Sequence, residues 1–399
     1  MKICLIVDDY MPHSIKVAAK MMHELACEFV AQGHEVSVIT PSAQLKEACE
    51  LSVLDGVNVW RFKSGEIKNI GKVKRAVNEM LLSHRAWRIL LPHFKQNKYD
   101  LIVYYSPSIF WGLLVRRLKK LWDARSYLVL RDFFPQWAID QGLIREGSVI
   151  EKYFRWFEVR NYAVADRIGV MSQKNLEWFE AMAYTDKPLE VLYNWAANTP
   201  VSSEGHFKRS LGMQEKIVYF YGGNIGYAQD MMNIVRLAEN MRGEEKAHFV
   251  LVGAGDEVEL VSEAIGEKAL ANMTLLPSVS QEVYKQMLSE FDIGLFTLHP
   301  DHSTHNFPGK LLGYMVQELP ILGSINAGND LKAIVEDAGA GLVSVNGEDE
   351  AFLANALKLL HDDHYRTQAG QNGKKLLDAV FSVEAAARQI LKKQGQRRE

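Results

Sequence analysis

Cysteine is scarce, with only Cys4, Cys27 and Cys49 in 399 residues, and no two of them form a C-x-x-C pair. An odd number at these spacings excludes a disulfide framework and a zinc ribbon, and it fits a reducing compartment. Cys4 lies in an apolar run and reads as a small core residue. Long apolar stretches are also missing. The longest, around Leu101–Val115, is broken by Ser106-Pro107-Ser108, short of the roughly 18 residues that a membrane-crossing helix requires. The opening run Ile3–Val7 is too short for a secretory signal and meets Asp8-Asp9, so a soluble or peripheral cytoplasmic chain is expected. There is no short repeat and no low-complexity tract, and a net charge of −3 points to no class of partner by itself.

What is present is alternation. Short β-branched apolar runs suit buried parallel strands: Ile3–Val7, Glu35–Thr40, Val57–Phe62, Leu101–Tyr105, Ser126–Leu130, Arg167–Met171 and Glu190–Tyr193. Amphipathic segments lie between them, such as Lys16–Gln32, where Gly33-His34 reads as a C-cap. The pattern then restarts with Ile217–Tyr221, His248–Val252, Thr274–Leu276, Ile293–Phe296, Ile321–Ser324 and Leu342–Val345, with helices at Asp230–Met241 and Ser280–Phe291. A restart of this kind predicts an α/β fold with two Rossmann-like, doubly wound domains. The polar stretch Asn198–Lys208 marks the join, giving domains over 1–200 and 201–380, with a helix over about 381–399 expected to pack back on the first. Ligands of open α/β sheets bind beyond the carboxyl ends of the strands, so two such domains facing across a cleft would suit transfer between a donor and an acceptor.

Four segments at expected strand ends could carry chemistry. Tyr221-Gly222-Gly223-Asn224-Ile225-Gly226, continuing to Gln229, reads as a strand-to-helix loop. Its glycines would let a phosphate approach the backbone, although the same residues also make an ordinary turn. Pro308-Gly309-Lys310 would open a helix with a first-turn lysine, suited to neutralising a diphosphate or simply solvated. Arg131-Asp132 follows the strand ending at Leu130, and Asp132 could take a proton from a hydroxyl or pair structurally with its neighbour. His13, in the loop after the first strand, could contact sugar or phosphate or be uninvolved.

Taken together, these motifs resemble the family-four glycosyltransferases of the GT-B fold. The resemblance rests on Gly33-His34-Glu35-Val36, Arg131-Asp132 with Pro135, Asn194, Gly222–Gly226 with Ala228-Gln229, and Pro308-Gly309-Lys310 with Tyr314-Met315 and Pro320. Their order matches along nearly the whole chain, and the nearest group is the WbuB-type transferases of O-antigen and capsule assembly that add N-acetyl-L-fucosamine. The resemblance implies a UDP-sugar donor, a lipid-diphosphate-linked acceptor and no required metal or other cofactor. It implies that Gly223, Asn224, Gly226, Gln229, Pro308, Gly309 and Lys310 hold the donor, that Val279 borders the uracil, and that His305 and Asn306 meet the donor sugar. Asp132, with Arg131 and His13 nearby, would serve the acceptor. Two departures stand out. Asn224 and Gln229 replace the basic pair common in this loop, and His305 and Gly313 stand where many members carry glutamates. Neither the usual sugar contacts nor a retained anomeric configuration is therefore inherited at these positions. No D-x-D triplet is present, so fixed positive charge and backbone amides would have to hold the diphosphate.

Between Arg61 and Arg125 there are 15 Lys+Arg against 4 Asp+Glu. Within this stretch Lys72–Lys95 reads as one amphipathic helix, and Arg116-Arg117-Leu118-Lys119-Lys120 adds a second basic segment. Basic amphipathic helices with tryptophan suit an anionic membrane surface, and equally the solvated faces of ordinary Rossmann helices. The expected role is peripheral, on the cytoplasmic face of an inner membrane, with no nucleic-acid partner. A UDP-sugar 2-epimerase and a non-catalytic sugar-nucleotide-binding protein are the alternatives on the same fold.

Overall fold

The computed structural model describes residues 1–14, 16–67, 70–182, 185–301 and 308–392. The chain forms two compact units, one running from Met1 to Tyr193 and including the chain from Ala386 on, the other Asn194–Ala385.

The first unit is built on an eight-stranded sheet: β1 (Lys2–Ile6), β2 (Glu35–Ser42), β3 (Cys49–Leu54), β4 (Val57–Lys63), β5 (Leu101–Ser106), β6 (Arg125–Leu130), β7 (Arg167–Val170) and β8 (Leu189–Val191), in the order β3-β4-β2-β1-β5-β6-β7-β8. All neighbours are parallel except β3 with β4. Its helices are α1 (Val17–Ala31), α2 (Lys72–Met80), α3 (Leu82–Gln96), α4 (Gly112–Trp122), α5 (Gln136–Asp140), α6 (Val149–Ala163) and α7 (Gln173–Ala181). α1 buries Ala19, Met22, Leu25, Ala26 and Phe29, one apolar stripe at helical spacing. It stops where Gly33 takes φ +81° and the His34 amide reaches back to the Phe29 carbonyl, the hydrogen bond of a Schellman cap.

The second unit carries a six-stranded parallel sheet: β9 (Ile217–Asn224), β10 (Ala247–Ala254), β11 (Met273–Pro277), β12 (Ile293–Thr297), β13 (Ile321–Ile325) and β14 (Gly341–Val345), in the order β11-β10-β9-β12-β13-β14. This is the doubly wound order in which the first strand of the set is central and the winding reverses beside it. Its helices are α8 (His206–Ser210), α9 (Met231–Asn240), α10 (Val258–Glu267), α11 (Gln281–Leu288), α12 (Gly309–Val316), α13 (Leu331–Asp337), α14 (Asp349–His361) and α15 (Asp363–Leu376), and α16 (Val383–Leu391) belongs to the first unit from Ala386 on. The β9–β10 core stacks Tyr219 on Phe249 and buries Ile234, Val235, Val261 and Leu295.

Two sequence expectations need correction, and one strand was not foreseen. That strand is Cys49–Leu54, joined antiparallel to β4 through Asp55 (φ +49°) and Gly56 (φ +80°). That pair of positive φ values is the two-residue hairpin turn that Asp-Gly favours. Lys72–Lys95 is two helices, not one: Leu81, at ψ −9°, ends α2 and precedes α3. Gly222–Asn224 belongs to β9 rather than to a helix-opening loop. A short 3₁₀ turn, Tyr227–Gln229, follows it, and α9 starts only at Met231. Its glycines, Gly222 and Gly223, are thus held by ladder pairing to β10 at Val252 and Gly253. The expected C-terminal helix is described over Val383–Leu391, and its basic end lies outside the described residues.

Candidate functional site

In the second unit the winding reverses between β9 and β12, and the chemistry gathers at the carboxyl end of β9. Gly223 adopts φ +139°, a backbone that side-chain-bearing residues avoid. A Cβ there would sit 3.3 Å from Lys310 Nζ. Lys310 is in the first turn of α12, behind Pro308 at the N-cap, where no side chain caps the helix. Its ammonium lies 3.7 Å from the centroid of the Tyr221 ring, an arrangement in which the ring face favours a cation. Burial pulls its pKa down to about 7, and among the described residues no carboxylate forms an ion pair with it. The lysine is therefore a positive charge held in reserve beside a backbone that has no side chain to keep an anion away.

The floor beneath it is aromatic and tightly fitted. A Cβ on Gly222 would strike the Tyr284 ring at 2.3 Å, and one on Gly253 would meet the Gly223 carbonyl at 1.9 Å. The Tyr314 hydroxyl donates to the Leu295 carbonyl at 3.0 Å, tying α12 to β12. Burial raises the Tyr221, Tyr284 and Tyr314 hydroxyls well above the usual phenol range, so all three stay neutral. Tyr221 donates to the Asn224 carbonyl at 2.5 Å, and Asn224 Nδ2 donates to Gln229 Oε1 at 2.7 Å, so the two residues that replace the family's basic pair are bonded to each other. Gly226 packs against Asp256, whose Oδ1 would lie 2.4 Å from a Cβ. Just beyond, the His299 ring stacks on Tyr227 with centroids 4.4 Å apart. Val279 is exposed in the loop before α11, where Ser280 caps the helix by accepting from the Val283 amide.

Of the expected donor residues, Gly223, Asn224, Gly226, Gln229, Pro308, Gly309 and Lys310 all fall in this unit. The structure brings Lys310 into direct contact distance of the Gly223 position, and Asn224 of Gln229. His305 and Asn306 lie outside the described residues. The sequence reading did not bring Tyr221, Tyr284 and Tyr314 together as one floor, and it missed Gly253-Ala254-Gly255 at the end of β10. That second small-residue cluster after an apolar strand was the available signal, and Gly255 is needed because a Cβ there would run into the Ile225 carbonyl at 2.0 Å.

In the first unit, the loop after β1 opens a pocket of about 490 Å³ lined by Asp8, Asp9, His13, Ser42, Arg61 and Glu66 among others. Arg61 donates to the Met11 carbonyl at 2.6 Å and to Ser52 Oγ at 2.7 Å, which holds this loop against the β3–β4 hairpin. His13 is exposed on the pocket. Asp132 is not part of its lining; it follows β6, reaches solvent, and has its carboxyl raised from the ordinary value by desolvation. Arg131 differs: it is buried, and it donates to the Leu130 carbonyl at 3.3 Å and the Tyr193 carbonyl at 3.2 Å. These bonds pin the start of the Asp132 loop to the end of β8. Burial lowers the guanidinium to about 10, so it remains charged at neutral pH.

Family comparison decides the class. Residues 18–195 match the glycosyl transferase 4-like domain, and residues 203–376 match the glycosyl transferases group 1 domain. The chain belongs to the family-four glycosyltransferases of GT-B fold. It is 23% identical to WcaI of Escherichia coli K12, named as a glycosyl transferase of colanic acid biosynthesis, over 95% of this chain and 97% of that one. It is also 23% identical to the glycosyltransferase WbjE of Pseudomonas aeruginosa, a match that spans about half of each, 54%. HepE of Anabaena, solved with UDP, shares the fold with a TM-score of 0.64 at 13% identity, covering 98% of both chains.

The Gly223 geometry gives a direct expectation for this glycosyltransferase. Gly223→Ala combines a disfavoured φ with a methyl pushed toward Lys310, so UDP affinity should fall by roughly tenfold or more. Calorimetric titration with UDP checks this, and an unchanged circular dichroism spectrum shows that the fold is kept.

Proposed function

We propose that the enzyme moves an amino sugar, N-acetyl-L-fucosamine in the first instance, from UDP to a lipid-diphosphate-linked sugar during assembly of an O-antigen or capsular polysaccharide. The observation that carries this reading is Lys310, half-buried over Tyr221 beside the side-chain-free Gly223 at the carboxyl end of the central strand. A diphosphate placed there would meet an ammonium and open backbone amides. The name of WcaI supports a role in polysaccharide assembly, that of WbjE supports glycosyl transfer, and the HepE structures with UDP and UDP-glucose support a uridine donor.

Transfer forms a bond from the acceptor oxygen to the anomeric carbon and breaks the bond from that carbon to the β-phosphate oxygen, so UDP leaves with the electron pair. Lys310 offsets the charge that gathers on the leaving diphosphate. Asp132 receives the proton of the acceptor hydroxyl, and its raised pKa makes it a better base than an ordinary carboxylate. Arg131 positions that loop through its two carbonyl contacts. His13 belongs to the acceptor side, while Val279, His305 and Asn306 belong to the donor. No metal is needed in this scheme, and the enzyme works peripherally at the cytoplasmic face of the inner membrane.

A screen of UDP-amino sugars against a short-chain lipid-diphosphate-N-acetylglucosamine analogue tests the reading. Mass-detected addition of one sugar with stoichiometric UDP release is expected. Conversion of the UDP-sugar without acceptor, or tight UDP binding with no transfer to any lipid-linked sugar, would overturn it.

A further inference from the structure

The first unit carries an apolar surface that the donor chemistry does not use. On α6, Val149, Tyr153, Trp156 and Arg160 recur at helical spacing and form one line, with Ile150 beside it. Val149 is 83% exposed, Ile150 60% and Trp156 45%. Trp137 and Leu143, from α5 and the turn after it, are exposed as well. Packing joins these pieces: Phe134 lies 4.8 Å from Phe154 and 6.0 Å from Trp137, and Arg155 of α6 donates to Gln136 of α5. A soluble surface rarely gathers so many large apolar side chains without a partner.

Cations outnumber acids around this patch. α4 contains no acidic residue and exposes Arg116, Arg117 and Lys120 beside the exposed Leu113 and Leu121. It packs closely on α6, since a Cβ on Gly112 would lie 2.8 Å from the Arg160 carbonyl. The Arg160 guanidinium carbon sits 3.5 Å from the centroid of the Trp156 ring. The two acidic residues of α6, Glu151 and Glu158, are both paired with Arg155, and Glu158 is buried. Exposed Arg145 and Lys152 add charge, against Asp123, Asp140 and Glu146 on the acidic side.

We propose that this face, made by α6, the Trp137–Leu143 segment and the outer side of α4, docks onto an anionic lipid bilayer. Tryptophan and tyrosine favour the level of the headgroups, aliphatic side chains enter the acyl boundary, and the flanking cations meet anionic lipid. This refines the expectation from sequence, which placed the contact on the basic amphipathic helices of the Arg61–Arg125 segment: the insertion element is α6, outside that segment. The inference rests on the proposed lipid-linked acceptor only for its purpose, because bilayer binding is measured without any substrate.

Sedimentation of the full chain with phosphatidylglycerol–phosphatidylcholine vesicles, and with pure phosphatidylcholine vesicles, tests it. Binding should be strong in the first case, at least tenfold weaker in the second, and weakened by salt. Ile150→Glu with Trp156→Glu should lower binding to the mixed vesicles at least tenfold. UDP affinity and transfer to a water-soluble acceptor should stay within about twofold, which also controls for folding. Arg116→Glu with Lys120→Glu should remove the preference for phosphatidylglycerol. Vesicle binding that is unchanged in both double variants would overturn the proposal. So would a concentration-dependent dimer that the α6 variant abolishes, because a second copy would then cover this face. Vesicle binding that persists while no sugar is transferred would sink the proposed function and leave the docking surface intact.

Discussion

Replacing Lys310 with Met should lower kcat/KM for the UDP-sugar by roughly two to three orders of magnitude. The change removes the cation next to Gly223, and nothing else in the described site supplies one. The pH dependence follows from the same residue. With its pKa pulled to about 7 by burial, the amine is largely neutral at pH 8 before the donor binds. A diphosphate favours the charged form, so binding should take up a proton there, and UDP affinity should fall as pH rises above 7. Calorimetry in buffers of different ionisation enthalpy measures that uptake. Stability should move in the opposite direction from activity. A lysine whose folded pKa lies below its unfolded value costs stability at and below the folded pKa, and the cost disappears as pH rises toward the unfolded value near 10.4. Lys310→Met should therefore raise the unfolding midpoint at pH 6–7 by a few degrees, at about 2–4 °C per kcal/mol regained, and have little effect at pH 10. A variant that loses both activity and stability would contradict this account of the site.

Asp132→Asn should lower kcat by roughly 10²–10⁴ with a much smaller change in the KM for donor. The amide keeps the shape of the side chain and cannot accept the acceptor's proton. In the parent enzyme, activity should be lost as pH falls through the raised Asp132 pKa, because the working form is the carboxylate. The rate profile of Asp132→Asn should lack that acid limb. A variant with the same acid limb as the parent would assign the titration to another group, and one with full kcat would remove Asp132 from the chemistry.

The parts of this fold that could be read from sequence are those where a single local rule decides the outcome. The run Ile3–Val7 could only be a buried strand, and Gly33-His34 could only end α1 in the way it does, because the left-handed turn needs the glycine. Asp55-Gly56 carried an equally clear hairpin signal, but the strand before it, Cys49–Leu54, shows a mixed and largely exposed pattern that hides its partner. The Gly222–Asn224 segment misled for a different reason. Two glycines suggest a loop, and what makes them a strand is pairing to β10, 30 residues away, which no local pattern reports. The lysine of the site was visible as a first-turn residue, whereas its burial over Tyr221 depends on how α12 seats against β9 and β12. Arg131 shows the limit most plainly. Sequence gives its charge and position, but the backbone carbonyls that occupy it come from Leu130 and, 62 positions on, Tyr193.

The crowding around Gly222, Gly253 and Gly255 has a consequence for how this enzyme could diverge. With backbone oxygens or aromatic rings already at contact range, no larger residue enters there without shifting a strand. That part of the binding surface is closed to gradual change, so a lineage acquiring a new sugar would have to remodel elsewhere, in the Pro277–Ser280 turn or in the chain leading to Pro308. Deep substitution libraries of this gene should accordingly show intolerance at the three glycines under any donor, and altered sugar preference only among substitutions in those two segments.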